Sequence, residues 1–533
     1  MITIAGLLAI PVLVVVASLV MPTGEIWRHL VATVLPEYVR NSVLLTLGVG
    51  VGVAVTGTAS AWLVTMTRFR GRALLEWALL LPLAMPAYLL AYVATDLLDV
   101  YGPVQTWIRA TFALGPGQYP FPDVRSLGGA IVVMTLSFYP YVYLLARTAF
   151  MEQSVSVLEA SRSLGKGPWA TFFRIALPLA RPALVGGIAL ASMEALGDFG
   201  AVQHFGVSTF TTGIFRTWFG FGSRTAAAQL AAVLMIFILI LIVVERWSRR
   251  RRRYDAPSGR GKYLPSHRLT GARGALALVF GLVPIVLGFV LPTAVLVGMA
   301  FDDPGRSFDP RFWRLAGNSL TVASLTALLG VVLALLVAYG VRLRPSPISR
   351  AASRVAAMGY AVPGSVIAVG VLMPAGVFDN ALDGWLRATF GVSSGLLLSG
   401  TIVALLFAYL VRFLAVSLSS IEASLAKITP SMDEAARSLG RGSWRTLVHV
   451  HVPMLRGSLF TAGLMVFVEV MKELPATMIV RPFDFDTLAV EVYRLAGDER
   501  LAQAAGPALA VALVGMVPVV LLSFAIASTR GRD

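Results

Sequence analysis

The sequence predicts an all-α polytopic membrane protein: twelve transmembrane helices arranged as two parallel six-helix repeats. Three observations carry that expectation. Of 533 residues, 57% are hydrophobic and only 14% charged, with a mean hydropathy of +0.78, a composition no soluble chain of this length would tolerate. Apolar runs of about 20 residues, enough to cross a bilayer, recur along the whole chain. Between them a polar, arginine-bearing island occurs twice, offset by 275 residues.

From the N-terminus the apolar runs fall at roughly 4–21, 42–66, 74–98, 128–148, 183–204, 228–245, 275–300, 318–341, 355–378, 399–420, 458–480 and 504–528. No basic residue precedes the first and Arg28 follows it, so it reads as a retained helix. With a cytoplasmic N-terminus, 30 of the 44 Lys and Arg residues fall inside and 13 outside, with Lys472 inside a run. This bias puts both termini and both islands in the cytoplasm. The net charge of +16 is therefore topological, not a nucleic-acid footprint, and Arg249–Arg253 reads as an anchor beside membrane lipid. The absence of cysteine excludes disulfides and thiolate metal sites.

The first island reads Glu159-Ala160-Ser161-Arg162-Ser163-Leu164-Gly165 and continues, nine residues on, with Ile175-Ala176-Leu177-Pro178. The second reads Glu434-Ala435-Ala436-Arg437-Ser438-Leu439-Gly440, then Val450-His451-Val452-Pro453. Gly165 and Gly440 suit a tight turn between two helices. The second helix carries Trp169, Phe172, Phe173, Ala176 and Leu177 in one stripe, repeated by Trp444, Leu447, Val448, His451 and Val452. Each island should therefore lay an apolar face on something. Pro178 and Pro453 are expected to close that helix.

The halves correspond elsewhere too. Asn41-Ser42 matches Asn318-Ser319 and Pro86 matches Pro363, both at offset 277. Trp107 with Arg109-Ala110-Thr111-Phe112 matches Trp385 with Arg387-Ala388-Thr389-Phe390 at offset 278. The same orientation in both halves makes this a parallel duplication. It divides the chain into a first repeat (1–246, island about 152–182), a basic cytoplasmic linker (247–273) and a second repeat (274–533, island about 427–457).

No phosphate-binding loop, H-E-x-x-H or nucleophile elbow is present. The chain is thus not expected to be an enzyme or to hold a cofactor of its own; it cannot supply an ATPase, so any ATP is bound by a partner. Acids inside apolar runs stand out instead. Glu194 and Asp198 lie at i and i+4 after the first island, and Glu469 and Glu473 repeat them at offset 275. A carboxylate in hydrocarbon costs upward of about 2.5 kcal/mol and should face protein or water. The four could ring a cation's path; equally, they could pair with Lys472 or cap neighbouring helices. His204 reads as interfacial. The acidic loops 301–312 (Asp302, Asp303, Asp309) and 481–500 (Asp484, Asp486, Glu491, Asp498, Glu499) read as solvated, or as part of a surface for a soluble binding protein.

The islands resemble the EAA loop of ABC-importer permeases of type I, with Ser161 standing for the second alanine, a small-for-small change. Met193-Glu194-Ala195-Leu196-Gly197-Asp198-Phe199-Gly200, Tyr139-Pro140-Tyr141-Val142-Tyr143 and Glu469-Val470-Met471-Lys472-Glu473-Leu474-Pro475 resemble the fused permeases of ferric-iron importers. The resemblance covers nearly the whole chain. It implies a multi-pass protein of the bacterial inner membrane to which a periplasmic binding protein delivers Fe(III). Two ATPase subunits would dock on the cytoplasmic face through Glu159, Ala160, Ser161, Gly165, Glu434, Ala435, Ala436 and Gly440. An importer must release what it passes, so no tightly held metal is expected. Thiamine, phosphonate and polyamine permeases are relatives of this group. A secondary cation transporter also uses repeats and intramembrane acids, but needs no ATPase dock.

Overall fold

In a computed structural model of the chain, residues 1–22, 24–153, 163–165, 167–250 and 267–530 are described. Glu159, Ala160 and Ser161 of the first island, and residues 251–266 of the linker, lie outside them. Among the described residues eleven helices are long and apolar enough to cross a membrane. A twelfth crossing is a bent pair, Arg72–Ala84 and Ala87–Phe112, with 91° between its parts. The bend falls at Pro86, which caps the following helix in an extended conformation (φ −55°, ψ 143°). Its missing N–H and the restriction it puts on Met85 end the preceding turn there. Pro363 does the same for Gly364–Phe390, with φ −55° and ψ 145°.

The chain forms two compact units that do not coincide with the sequence repeats. One comprises Met1–Ala32, Gly213–Met235 and Phe308–Arg494; the other comprises Thr33–Thr212, Ile236–Ser307 and Leu495–Asp533. The first helix of the chain thus packs with the core of the second repeat. The close fit shows at Gly370, where a Cβ would press on the backbone of Pro11. Small residues at such crossings let helices approach in lipid, where no hydrophobic drive brings them together.

Inside the other unit, Leu35–Met66 packs on Leu127–Met151. A Cβ on Gly57 would lie 2.9 Å from the Tyr139 carbonyl oxygen. Tyr139 donates its hydroxyl proton to the Leu79 carbonyl at 2.9 Å, and Tyr143 donates to that of Glu76 at 2.6 Å. Arg147 forms a buried ion pair with the Glu76 carboxylate. These bonds tie the bent crossing to its neighbour by polar groups that hydrocarbon could not otherwise accommodate.

The helices after the islands differ from expectation at both ends. Continuous helix runs over Trp169–Gly197 and Ser443–Lys472, so Pro178 and Pro453 do not close a helix. Each follows one widened, five-residue-bonded turn, Phe172–Ala176 and Leu447–His451. The wider turn relieves the clash a proline ring makes with the carbonyl four residues back, so the helix continues. At the other end helix stops at Gly197 and Lys472, short of the apolar run. A short helix follows each stop, Gly200–His204 and Pro475–Val480.

Candidate functional site: the two islands and the broken helices

The second island is a helix, Pro430–Ser438, entered through Pro430 at its first turn and left through Gly440. Gly440 has φ +73° and Gly165 of the first island has φ +70°, the left-handed conformation glycine adopts without strain. Glu434 and Ala435 are exposed while Ala436 is buried. The stripe on the following helix splits. Phe172, Ala176, Leu447 and His451 are buried, whereas Trp169 is 72% and Trp444 66% exposed. Leu164 and Leu439, also matched at offset 275, are 77% and 79% exposed. Both islands therefore present a leucine and a tryptophan to the outside. Exposed apolar side chains grouped with a charged rim are the make-up of a protein-docking surface.

The two islands are held differently. In the second, Asp433 accepts from Arg342 Nε at 2.9 Å and lies 2.7 Å from His451 Nε2. Arg342 also donates to the carbonyls of Leu425 and Ile428, at 2.8 and 2.9 Å. Tyr339 donates to the Ser443 carbonyl at 2.8 Å. Burial pushes the Asp433 carboxyl up, but hydrogen bonds from Arg342 and His451 outweigh it and hold the group below the usual carboxylate range. The repeat-matched positions in the first half carry Trp62, Thr65 and Ala176. There Trp62 packs on Phe172 and Phe150 at 4.8 and 5.5 Å between ring centroids. An aromatic wedge in one half replaces a polar clamp in the other. Asp433 and His451 had a signal in their nearness to the motif; Arg342, on a different span, had none.

The intramembrane acids fall into two pairs. Asp198 Oδ1 accepts from the backbone N–H of Ala201 at 2.8 Å and Val202 at 3.3 Å. Glu473 Oε1 accepts from Ala476 N–H at 2.8 Å. Each caps the short helix that follows the break and satisfies donors that have no partner within it. Glu473 is 5% exposed and its Oε2 lies 3.4 Å from Arg412 Nε. Thr477, bonded to the Glu473 carbonyl at 2.8 Å, meets the Tyr409 hydroxyl at 2.6 Å. Glu194 and Glu469 are only partly buried. Lys472 pairs with Glu469 at 3.5 Å. His204 Nε2 lies 2.6 Å from Thr95 Oγ1, with its ring edge-on to Tyr92.

The loops before the last spans are also built in parallel. Asn41 donates to the Ser208 carbonyl at 3.0 Å, and Asn318 to that of Asp486 at 3.0 Å. Phe210 N–H donates to Ser42 at 3.3 Å, and Leu488 N–H to Ser319 at 2.9 Å. Of the acidic loop residues, Asp486 pairs with Arg481, and buried Glu491 with Arg311 and Arg494 at 3.0 and 2.7 Å. Asp484 stays exposed beside Phe483, which is 90% exposed. Among the described residues no three His, Asp or Glu side chains are placed to hold a metal ion.

The fold is a duplicated helical bundle with an exposed leucine–tryptophan pair on each island and a capped break in each following helix, the architecture of a multi-pass membrane protein. The chain belongs to the family described as the binding-protein-dependent transport system inner membrane component, whose pattern it matches twice, over residues 48–254 and 328–528. It is similar to the Fe(3+)-transport system permease protein FbpB 2 of Haemophilus influenzae, 30% identical over 91% of this chain and 89% of that protein. It is also similar to the molybdenum transport system permease protein ModB of Escherichia coli, 32% identical over 27% of this chain and 60% of that protein. The sulfate transport system permease protein CysT of Escherichia coli is 31% identical over 27% of this chain and 48% of that protein.

Proposed function

We propose that this chain is the membrane permease of an ABC importer that passes ferric iron from a periplasmic binding protein to the cytoplasm. Two separate ATPase subunits seat on the islands, through Glu159, Ala160, Ser161, Gly165, Glu434, Ala435, Ala436 and Gly440, and supply the ATP hydrolysis. The observation that carries this reading is the exposed leucine–tryptophan pair on each island, Leu164 with Trp169 and Leu439 with Trp444. Similarity over nine-tenths of the chain to an Fe(3+) permease supports the cargo; the molybdenum and sulfate relatives match only about a quarter of it. Both termini face the cytoplasm, as the distribution of basic residues favours. Glu194 and Glu469 are the acids that meet the cation in passage, while Asp198 and Glu473 fix the helix breaks beside them.

Reconstitution tests the cargo directly. Proteoliposomes holding this chain with its ATPase and binding protein should take up radiolabelled Fe(III) in an ATP-dependent manner and leave molybdate and sulfate outside. ATP-driven uptake of an oxyanion in place of iron would keep the importer and overturn the substrate.

A further inference from the structure

The corner between the end of Pro310–Leu343 and the helix Pro347–Ala356 holds a cavity of about 410 Å³. Arg342, Arg350, Ser353, Arg354, Glu422 and Leu425 are among its lining residues. Their charges are not all in use. Arg342 is committed to Asp433 and to three backbone carbonyls. Arg350 and Arg354 lie at i and i+4, on the exposed flank of an amphipathic helix that buries Ser349, Ala352, Ser353 and Ala356. Both arginines are exposed. Arg350 has one long bond, 3.4 Å to the Ser346 carbonyl, and among the described residues Arg354 makes no hydrogen bond or ion pair. Glu422 takes the Ser353 hydroxyl proton on Oε1 at 2.6 Å.

The other half supplies a control within the same chain. At offset 277 the positions of Arg350, Ser353 and Arg354 hold Ala73, Glu76 and Trp77, and at offset 275 Glu422 becomes Arg147. There Glu76 and Arg147 neutralise each other in a buried pair. The second half has lost that pair and gained two unspent guanidinium groups beside a carboxylate. Around them Leu343, Ile348 and Met358 are 47%, 66% and 50% exposed. Apolar side chains beside arginines on a short amphipathic helix are the pattern of a segment lying at a lipid interface.

We infer that this corner binds the phosphoethanolamine head group of a membrane phospholipid. Arg350 and Arg354 take the phosphate, whose oxygens match paired guanidinium donors. Glu422 takes the ammonium through its second carboxylate oxygen. A purely anionic head group would leave Glu422 facing like charge, and a quaternary ammonium has no N–H to give it. Arg342 forms one wall of the cavity while gripping Asp433, so an occupied site lies one residue from the second coupling island.

Binding can be read without ATPase or cargo, so failed iron transport leaves this inference standing. The delipidated full chain is titrated with phosphatidylethanolamine, phosphatidylcholine and phosphatidylglycerol of matched acyl chains, and retained lipid is counted by native mass spectrometry. Phosphatidylethanolamine should be retained about tenfold over the other two. The Arg350→Gln/Arg354→Gln double variant, at exposed positions, should lose that retention. Glu422→Gln should keep lipid but lose the preference. Equal retention of all three lipids by the wild-type chain overturns the inference, as does unchanged binding by the double variant. Soluble glycerophosphoethanolamine displacing the lipid at equal concentration would overturn the membrane as the source of the head group.

Discussion

Asp433 and His451 stand 2.7 Å apart, carboxylate oxygen to imidazole nitrogen, and the contact joins the island helix Pro430–Ser438 to the membrane helix that follows it. With Arg342 as third member, the clamp ties the island helix to two membrane spans. Asp433 is 22% exposed, so Asp433→Asn should cost only about 1 kcal/mol of stability after solvent screening. The larger expected effect is on coupling: more ATP hydrolysed per ion moved. Because the carboxyl is held below its ordinary value, its contribution is complete above about pH 4 and fades as pH falls below that. Thermal midpoints of wild type and variant should therefore differ at pH 7 and converge on acidification below pH 4. A constant gap would place the effect outside this carboxylate.

Arg412 and Glu473 make a harsher test of burial. Arg412→Leu leaves the Glu473 carboxylate uncompensated at 5% exposure, a loss of about 3–5 kcal/mol. Gly364→Ala should act similarly, since its Cβ would sit 2.5 Å from Glu473 Oε1. Both should lower the yield of folded protein in membranes, read by detergent-solubilised monodispersity. Lys472→Met removes only a partly exposed partner of Glu469 and should cost about 1 kcal/mol or less.

The acids divide by phenotype. Glu194→Gln and Glu469→Gln should leave folding unchanged and slow iron uptake, most strongly together, while Asp198→Asn and Glu473→Gln should act first on stability by about 1–3 kcal/mol. Uptake kinetics normalised to folded protein separate the two. Wild-type rates from a folded Glu194→Gln/Glu469→Gln double variant would remove both from the cation's route.

Gly440 has φ +73° and open space around the position of its missing Cβ, so only backbone conformation limits substitution. Gly440→Asn should be tolerated, Gly440→Ala should cost about 1 kcal/mol, and Gly440→Pro, which cannot adopt positive φ, should abolish stimulated ATP hydrolysis with the protein still inserted. Equal activity of the Asn and Pro variants would detach the turn from coupling.

The absence of cysteine allows a clean test of sidedness. Cysteines introduced at exposed Ser443 and Asp303 should react with impermeant reagent from opposite faces, Ser443 from the cytoplasm. Labelling of both from one face contradicts the topology.

Much of this was legible in the sequence because duplication repeats its contacts. Asn41 and Asn318, read only as matched letters, make the same bond to the same kind of loop carbonyl, and Pro86 and Pro363 cap helices with nearly identical torsions. The helix breaks at Asp198 and Glu473 were hidden, since apolar runs pass through them and hydropathy does not register a change in backbone direction. Pro178 and Pro453 misled for the opposite reason: a widened turn ahead of each removes the clash that makes proline a terminator. Arg342 and Asp433 are 91 residues apart, beyond any local pattern. Hydropathy also names spans without naming their neighbours, so the exchange of first helices between repeats left no trace in it.

That exchange sets a timetable for biosynthesis. Met1–Ala32 belongs with Gly213–Met235 and with a core that begins at Phe308, so the first helix to leave the ribosome waits while roughly 280 further residues are made before that core starts, about 14–55 s at 5–20 residues per second. Through that interval it must stay in the bilayer without committing to Thr33–Thr212, which belongs to the other unit. A chain released after its first repeat would therefore carry Met1–Ala32 and Gly213–Met235 without the core they belong to, and membrane quality control should treat it as unfinished, not as half a permease.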